Sequence, residues 1–475
     1  MIAASLARID RLFDGGLLAP IRRMLGALVV AAGPWLVAVA AIAFVSWATE
    51  PDIGPLAAED LRLAVIYALA LAPLASAPVS TVATRRIAAG TLTRAQVGGL
   101  FVLAAGLSGA AAQVLALLVV LGLGLRDTGI GVALIFLSGA AAVMWTGFAV
   151  LTALRAFRFL IAAFCAGTLL ASVLSVLIAT TAPGVASLIW CFTCGVTVCA
   201  GLAGAHLSLW RTAEIDLAWA MATLRDEARL SRALAIGAGL AVLGVWIDKC
   251  VFWFGPGALR SEVGFANFPD YDSVMFLAHL SVIPSLAALM TFHDGKLRQA
   301  LLGFRSVLNG GRTLGAVRQS VVHLSDTVRS GLLSILLTQL AVCVAIILLA
   351  PSLAQTIGLR LDQYLTLRIG LVGAFFHLVF LAANGILLLC NRKRQFLMLQ
   401  AGFCALNLIL SLGFLPISGT AGYAFLGCSF LAAAIAVPMA LRAVAQLDYL
   451  HLVAENDGLY RRQPDQLENR TIANS

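Results

Sequence analysis

Twelve apolar stretches dominate this sequence, and each is long enough to cross a bilayer. A helix needs about 20 mostly apolar residues to span the hydrocarbon core. The predicted spans are residues 24–48, 62–83, 97–125, 129–153, 159–181, 186–210, 233–254, 271–292, 328–350, 363–390, 396–415 and 420–442. The chain is 61% hydrophobic and 12% charged, whereas soluble domains are about 45–50% apolar and 25% charged. We therefore predict an all-α integral membrane protein with about 12 transmembrane helices.

The basic residues lie almost entirely on one side of the predicted membrane. Of the 32 Lys and Arg residues, 26 lie in the N-terminal segment or after the even-numbered spans, four lie in the opposite loops, and two lie within spans. Loops rich in Lys and Arg remain in the cytoplasm. The distribution predicts that both termini are cytoplasmic.

The opposite side is acidic. Its acids are Glu50, Asp52, Glu59, Asp60, Asp127, Glu262, Asp270, Asp272 and Asp362. Membrane topology explains the basic side well, but acidic residues contribute little to orientation. Two interpretations therefore remain open: the acids follow from topology alone, or they help to receive a cationic or polar cargo.

A long central polar segment divides the chain into two sets of six spans. We predict an N-terminal six-helix bundle (1–210), a cytoplasmic linker (211–232), a C-terminal six-helix bundle (233–442) and a polar cytoplasmic tail (443–475). Transporters built from two similar halves bind substrate at the interface between them. The two bundles are therefore expected to surround a central cavity.

Within the C-terminal bundle, residues 294–326 are predicted to form an amphipathic cytoplasmic segment. Leu297, Leu301 and Phe304 recur at helical spacing, with Arg298 on another face. This pattern favours a helix on the anionic inner leaflet. A docking surface for a cytoplasmic partner is the alternative.

Asp248 and Lys249 are adjacent charges inside an otherwise apolar span, and Arg368 lies at a similar predicted depth. A charge in the hydrocarbon costs roughly 3 kcal/mol or more unless it is paired or faces water. One interpretation is an internal ion pair between Asp248 and Lys249 or Arg368. The other is a cavity that binds a sugar chain, couples an ion or acts as an outer gate. Both require all three side chains to face the interior.

Trp246, Lys249 and Trp253 are spaced so that they share one helical face. Aromatic rings beside polar groups suit carbohydrate, whose C–H faces stack on rings while its hydroxyls form hydrogen bonds. An aromatic belt at the membrane interface is the alternative. Trp253 fits the belt well, and the deeper Trp246 fits it less well.

Other polar side chains in the spans have two interpretations each. His206, His279 and His377 suit a proton relay or ordinary hydrogen bonds. Arg85 at the cytoplasmic end of the second span suits a cytoplasmic gate or reflects topology alone. Three amides are predicted to form hydrogen bonds between helices: Gln113, Asn384 and Asn407.

The sequence argues against several classes of protein. It has no G-x-x-x-x-G-K-[ST] phosphate loop, which argues against an ATPase. No polar stretch is long enough for a glycosyltransferase domain, and Cys191-Phe-Thr-Cys194 lies in an apolar helix without a second pair. We therefore predict no enzyme activity, no cofactor, no metal and no nucleic-acid partner.

Five segments together resemble the PelG family, the inner-membrane transporter subunits of bacterial Pel exopolysaccharide systems. They are residues 22–25 (Arg-Arg-Met-Leu), 33–35 (Gly-Pro-Trp), 78–85, 247–254 (Ile-Asp-Lys-Cys-Val-Phe-Trp-Phe) and 270–284, which begins Asp-Tyr-Asp. The resemblance marks Asp248, Lys249 and Asp272 as lining or structural positions.

The resemblance implies a transporter of the MOP flippase superfamily, with two six-helix bundles facing a central cavity. It implies export of a partly deacetylated galactosaminoglycan across the inner membrane. The implied partners are a cytoplasmic glycosyltransferase, membrane subunits with a cyclic-di-GMP receptor and tetratricopeptide repeats, and membrane lipid. The alternatives are a lipid-linked oligosaccharide flippase, an ion-coupled small-molecule antiporter of the same superfamily, and a scaffold without a conduit.

Overall fold

The computed structural model describes residues 19–208, 216–310, 313–417 and 419–449. Within these ranges, 12 helices are long and apolar enough to cross a membrane. Each predicted span falls on one of them, so the predicted all-α membrane fold is confirmed. The predicted tail beyond residue 449 and the first residues of the linker lie outside the described ranges.

The helices are numbered in chain order. The first half contains α1 (Ala19–Ile53), α2 (Pro55–Ala88), α3 (Arg94–Leu123), α4 (Thr128–Ala153), α5 (Phe157–Ala179) and α6 (Val185–Ser208), and the linker contains α7 (Leu217–Leu230). The second half contains α8 (Arg232–Phe252), strands β1 (Leu259–Arg260) and β2 (Ala266–Asn267), α9 (Pro269–Leu280), α10 (Ile283–Phe292), α11 (Arg298–Asn309), α12 (Leu314–Ile357), α13 (Leu361–Leu389), α14 (Lys393–Phe414), α15 (Ala421–Ala445) and α16 (Leu447–Tyr449).

Local sequence signals set several helix ends. Thr93 caps α3 in a reciprocal arrangement with Gln96, and the Asp127 carboxylate accepts a hydrogen bond from the Ile130 N–H in the first turn of α4. Gly124 ends α3 with φ 64°, a left-handed conformation that glycine adopts without strain. These caps produce the short turn between α3 and α4.

The eighth predicted span is a broken helix. It stops after Leu280 and resumes at Ile283, because Pro284 has no N–H to continue the helical hydrogen bonds. Ser281 stabilises the break by donating to the Ala278 carbonyl at 2.6 Å and accepting from Gln339 Nε2 at 3.3 Å. A π-helical turn at 293–297 then leads into α11.

The first six helices pack mainly on one another around two apolar clusters, and α8 to α15 pack around others. The backbones of α5 and α6 approach each other closely, because a Cβ added to Gly167 would collide with the Gly195 carbonyl oxygen. The two halves meet where α1 lies against α10 and where α2 lies against α8. We call the two sets the first and second bundles.

The two ends of the assembly differ in charge. The acidic end carries Glu50, Asp52, Asp127, Glu262, Asp270 and Asp362. The basic end carries Arg85, Arg86, Arg155, Arg158, Arg392, Arg394 and Arg442.

The predicted amphipathic segment differs from the expectation of a helix on a leaflet. Its apolar residues Leu297 and Phe304 are both 2% exposed, because they pack against the start of α12. That face is therefore covered by protein. The segment contributes to both arms of a helical hairpin: α11 is one arm, and the beginning of α12, which includes residues 314–326, is the other.

Candidate functional site

Asp248 and Lys249 lie on the last turns of α8, near the acidic end. The Asp248 side chain is fully buried and the Lys249 side chain is 12% exposed. Lys249 Nζ lies 3.4 Å from each Asp248 carboxylate oxygen, and it donates to the Val245 carbonyl at 3.1 Å. A buried charge needs a partner to compensate for its lost hydration, and each of these two charges provides that compensation for the other.

Tyr271 joins this ion pair to α9. Its hydroxyl donates to Asp248 Oδ2 at 2.6 Å, and the side chain is only 1% exposed. Lys249 Nζ lies 5.9 Å from the Trp246 ring centroid and 6.0 Å from that of Tyr271, within the range of cation–π attraction. The charged cluster is therefore an ion pair enclosed by aromatic rings.

Asp272, one residue further along α9, holds both ends of the loop that joins α8 to α9. Its Oδ2 accepts from Trp253 Nε1 at 2.7 Å and from the Phe268 backbone N–H at 3.1 Å. Its Oδ1 is buried and has no hydrogen-bond partner among the described residues. We call residues 253–268 the acidic-end loop.

The acidic-end loop reaches across to the first bundle through aromatic residues. The Tyr67 hydroxyl of α2 donates to the Ala266 carbonyl at 2.7 Å, and the Tyr67 ring lies 4.8 Å from the Trp253 ring, centroid to centroid. Phe265, at the tip of the loop, is fully buried in an apolar cluster of the first bundle. The loop is therefore packed into the opposite bundle.

Polar contacts also join the acidic-end loop to the first bundle. The Arg126 backbone N–H donates to the Val263 carbonyl at 2.9 Å. Asn267 Nδ2 donates to Glu59 Oε1 at 3.0 Å. Together these contacts close the acidic end between the two bundles.

Arg85 joins the bundles at the basic end. Its Nε lies 3.1 Å from Glu227 Oε1 on the linker helix α7. The same oxygen accepts from Ser231 Oγ at 2.7 Å, immediately before α8 begins. Glu227 therefore connects the first bundle to the second through one carboxylate.

His279 and His377 lie deeper in the second bundle than the charged cluster. Their ring centroids are 6.4 Å apart, and both rings pack against Phe425, at 5.0 and 5.6 Å. His279 Nδ1 lies 2.7 Å from the Met275 carbonyl. Its Nε2 and the Nδ1 of His377 are buried without a hydrogen-bond partner in the described part of the chain.

Arg368 does not join the cluster. It is exposed, and its guanidinium lies 5.5 Å from the Tyr364 ring centroid. Nine residues at 100° each rotate a helix by about 180°, so Arg368 and the buried His377 lie on opposite faces of α13. The exposed side chain of Arg368 therefore does not have the interior orientation that was expected from the sequence.

Several acids at the acidic end have structural partners within the chain. Asp270 and Asp362 both form ion pairs with Arg360, and Asp127 caps α4. Hydrogen bonds to Asp362 and Asp270 raise the pKa of the Arg360 guanidinium above its ordinary value. These contacts give some of the acidic residues a structural role that does not depend on a cargo.

The first bundle encloses a small cavity of about 40 Å³, lined by apolar side chains that include Ala41, Leu69, Met144 and Phe192. This volume accommodates only a few water-sized molecules. This cavity is therefore too small to hold a sugar chain.

Three site residues were missed by sequence reasoning: Tyr67, Glu227 and Tyr271. Tyr271 had a usable signal, because it lies in the Asp270-Tyr271-Asp272 segment singled out above. Tyr67 and Glu227 had none, since their partners are distant in sequence or belong to a segment interpreted as a linker. In the described ranges, no group of three or more His, Cys, Asp or Glu residues is placed to hold a metal ion.

The fold is that of a MOP superfamily transporter. It is similar to a MOP superfamily transporter from Pyrococcus furiosus, with a TM-score of 0.57 and 14% identity over 89% of this chain and 96% of the other. It is also similar to a multidrug resistance MATE family transporter in its outward-facing conformation (TM-score 0.60, 15% identity, 89% and 96% coverage) and in its inward-facing conformation (0.58, 15%, 86% and 94%).

The sequence identifies the family to which this chain belongs. Residues 8–451 match the family described as "PelG: Putative exopolysaccharide Exporter (EPS-E)". The chain belongs to this PelG family, so it is a transporter rather than an enzyme. No curated protein matches the sequence.

Proposed function

We propose that this chain carries a Pel-like exopolysaccharide, a partly deacetylated galactosaminoglycan, across the bacterial inner membrane. Membership of an exopolysaccharide exporter family supports the cargo class. Deacetylation of an amino sugar leaves an amine that is protonated at neutral pH, so such a polymer is cationic. The positive-inside rule supports a cytoplasmic basic end, from which the polymer travels to the acidic end.

The observation that carries this proposal is the position of Asp272. One carboxylate oxygen accepts hydrogen bonds from Trp253 and Phe268, at the two ends of the acidic-end loop, while the other is buried with no partner among the described residues. A protonated amine of the polymer pairs with the free oxygen and competes with the bonds to the loop. The rings of Trp253 and Tyr67 then offer faces on which sugars stack.

The cycle follows from the contacts at the two ends. Separation of Arg85 from Glu227 opens the basic end for loading, and release of the acidic-end loop opens the opposite end for discharge. A cytoplasmic glycosyltransferase supplies the polymer. Membrane subunits with a cyclic-di-GMP receptor and tetratricopeptide repeats complete the synthesis and export complex.

The test is Asp272→Asn, which removes the charge while keeping the size of the side chain. We expect secreted polymer to fall at least tenfold, with membrane abundance and elution as a single species unchanged. The matched control is Asp362→Asn, at the same end but exposed and paired with Arg360. Wild-type secretion by a normally abundant Asp272→Asn variant rejects the proposed role of this carboxylate.

An ion-coupled antiporter is the second candidate function, because His279 and His377 are buried and each has a ring nitrogen with no hydrogen-bond partner in the described ranges. The purified protein alone would then move a small cargo into vesicles under a pH or sodium gradient. An exporter that depends on the synthesis complex would not. Transport by the protein alone that is lost in His377→Phe selects the antiporter.

A further inference from the structure

The basic end carries a helical hairpin that is longer than any transmembrane role requires. We define the basic-end hairpin as α11 together with residues 314–330 of α12. Helix α12 has 44 residues, about 66 Å at 1.5 Å per residue, and residues 331–357 alone give about 40 Å for a hydrocarbon core of about 30 Å. The first 17 residues of α12, about 25 Å, are therefore left over at the basic end.

The hairpin is a fixed part of the second bundle. Val317, Val321 and Leu324 of α12 are 1–6% exposed in an apolar cluster that also contains Phe304 of α11 and Val444 of α15. These contacts attach the hairpin to the ends of neighbouring transmembrane helices. A rigid projection of this kind presents a defined surface away from the bilayer.

The outer surface of the hairpin repeats one chemical pattern on both arms. On α11, Arg298 and Arg305 flank Leu302, which is 53% exposed. On α12, Arg318 and Arg329 lie on the same face as Val322, which is 59% exposed, and Asp326 lies between Val322 and Arg329. Within each arm the three residues share one helical face. An exposed aliphatic residue between two cations suits a partner surface with an apolar centre and an acidic rim.

We propose that the basic-end hairpin is the docking site of a folded partner protein with an acidic surface. A lipid surface fits less well, because the apolar face of α11 is already buried against α12. The first residues of α12 also lie about 25 Å from residue 331 along the helix axis, beyond the roughly 8–10 Å over which membrane charge acts at physiological salt, whereas Arg329 lies next to the span. This inference goes beyond the proposed function and applies to any cargo.

The test places a photoreactive residue at Leu302 or Val322 of the full-length protein in living cells, with Leu348, 74% exposed in the apolar part of α12, as the lipid-facing control. We expect one and the same protein to be cross-linked from both hairpin positions, identified by mass spectrometry, and phospholipid or nothing from Leu348. Adducts with phospholipid only, with a second copy of this chain, or with nothing at the hairpin positions overturn the proposal.

Charge reversal provides a second test of the proposal. The pairs Arg298→Glu with Arg305→Glu, and Arg318→Glu with Arg329→Glu, should each reduce the protein adduct at least tenfold. Reversal of Arg394 and Arg442, exposed at the same end but off the hairpin, should leave it unchanged. Adducts that persist in both hairpin variants overturn the electrostatic recognition. Polymer secretion is measured in parallel. Loss of the adduct tests the docking site alone, because it does not depend on which cargo the protein carries, and so it can be told apart from a failure of the proposed function.

Discussion

The ion pair between Asp248 and Lys249 lies among aromatic rings, so each charge depends on the other for its stability. Removing one member of a buried pair leaves a charge without compensation and typically costs about 3–5 kcal/mol. Replacing both members by neutral groups of similar size is often close to neutral. The pair therefore has a structural role that must be separated from any contact with cargo.

We predict that Asp248→Ala lowers the free energy of unfolding by about 3–5 kcal/mol, because Lys249 loses its partner and Tyr271 loses its acceptor. The double variant Asp248→Asn with Lys249→Gln should recover most of this loss. Thermal unfolding of the purified proteins in detergent measures both effects. Equal destabilisation of the single and double variants would contradict the ion-pair interpretation.

For the buried amides, the sequence predicted the partner of one residue and not that of another. Asn407 forms the predicted bond between helices, donating to the Gly244 carbonyl at 2.9 Å. Asn384 instead donates within its own helix, to the Phe380 carbonyl. The depth of a residue follows from its position in an apolar run. Its direction depends on how the helix is rotated against its neighbours, which the sequence does not specify, and Arg368 shows this limit.

At the scale of elements, α5 and α6 show how small residues replace the hydrophobic effect inside a membrane. Lipid is as apolar as a leucine side chain, so helices gain stability by close packing. Gly167 and Gly195 allow the two backbones to touch. Neither residue attracts attention in the sequence, because 43 glycines are present.

We predict that Gly167→Ala lowers the free energy of unfolding by about 1–3 kcal/mol, because its Cβ must push α5 away from α6. Gly106→Ala is the matched control, since the same change on α3 meets no atom within 4 Å. Melting temperatures followed by size-exclusion chromatography compare the two variants. A normal melting temperature for Gly167→Ala would show that the helices separate at little cost.

At the scale of the whole molecule, the twelve spans were predictable because a run of 20 apolar residues is a strong signal. The acidic-end loop and the basic-end hairpin were not, since each depends on contacts between segments far apart in the chain. Orientation is a prediction from charge alone. It can be tested independently of transport.

We predict that a cysteine at Asp362 reacts with a membrane-impermeant maleimide added to the periplasmic side, and that a cysteine at Arg394 reacts only after the membrane is permeabilised. Both positions are exposed and lie at opposite ends of the protein. Gel shifts of the labelled protein, corrected for the unsubstituted chain with its nine cysteines, measure the reaction. The reverse labelling pattern would show that the predicted topology is inverted.

The closed acidic end gives the last prediction. Arg126 and Val263 are joined by a backbone hydrogen bond of 2.9 Å between the two bundles, which holds the two backbones side by side; a disulfide also requires that the two Cβ atoms point toward each other. Cysteines at both positions should lock the acidic-end loop onto the first bundle under oxidising conditions. If this loop must leave for polymer to pass, oxidation should reduce secretion at least tenfold, and a reductant should restore it. Either single cysteine should secrete normally under both conditions. Full secretion by molecules shown by mass to be cross-linked would mean that polymer leaves by a route that this loop does not close.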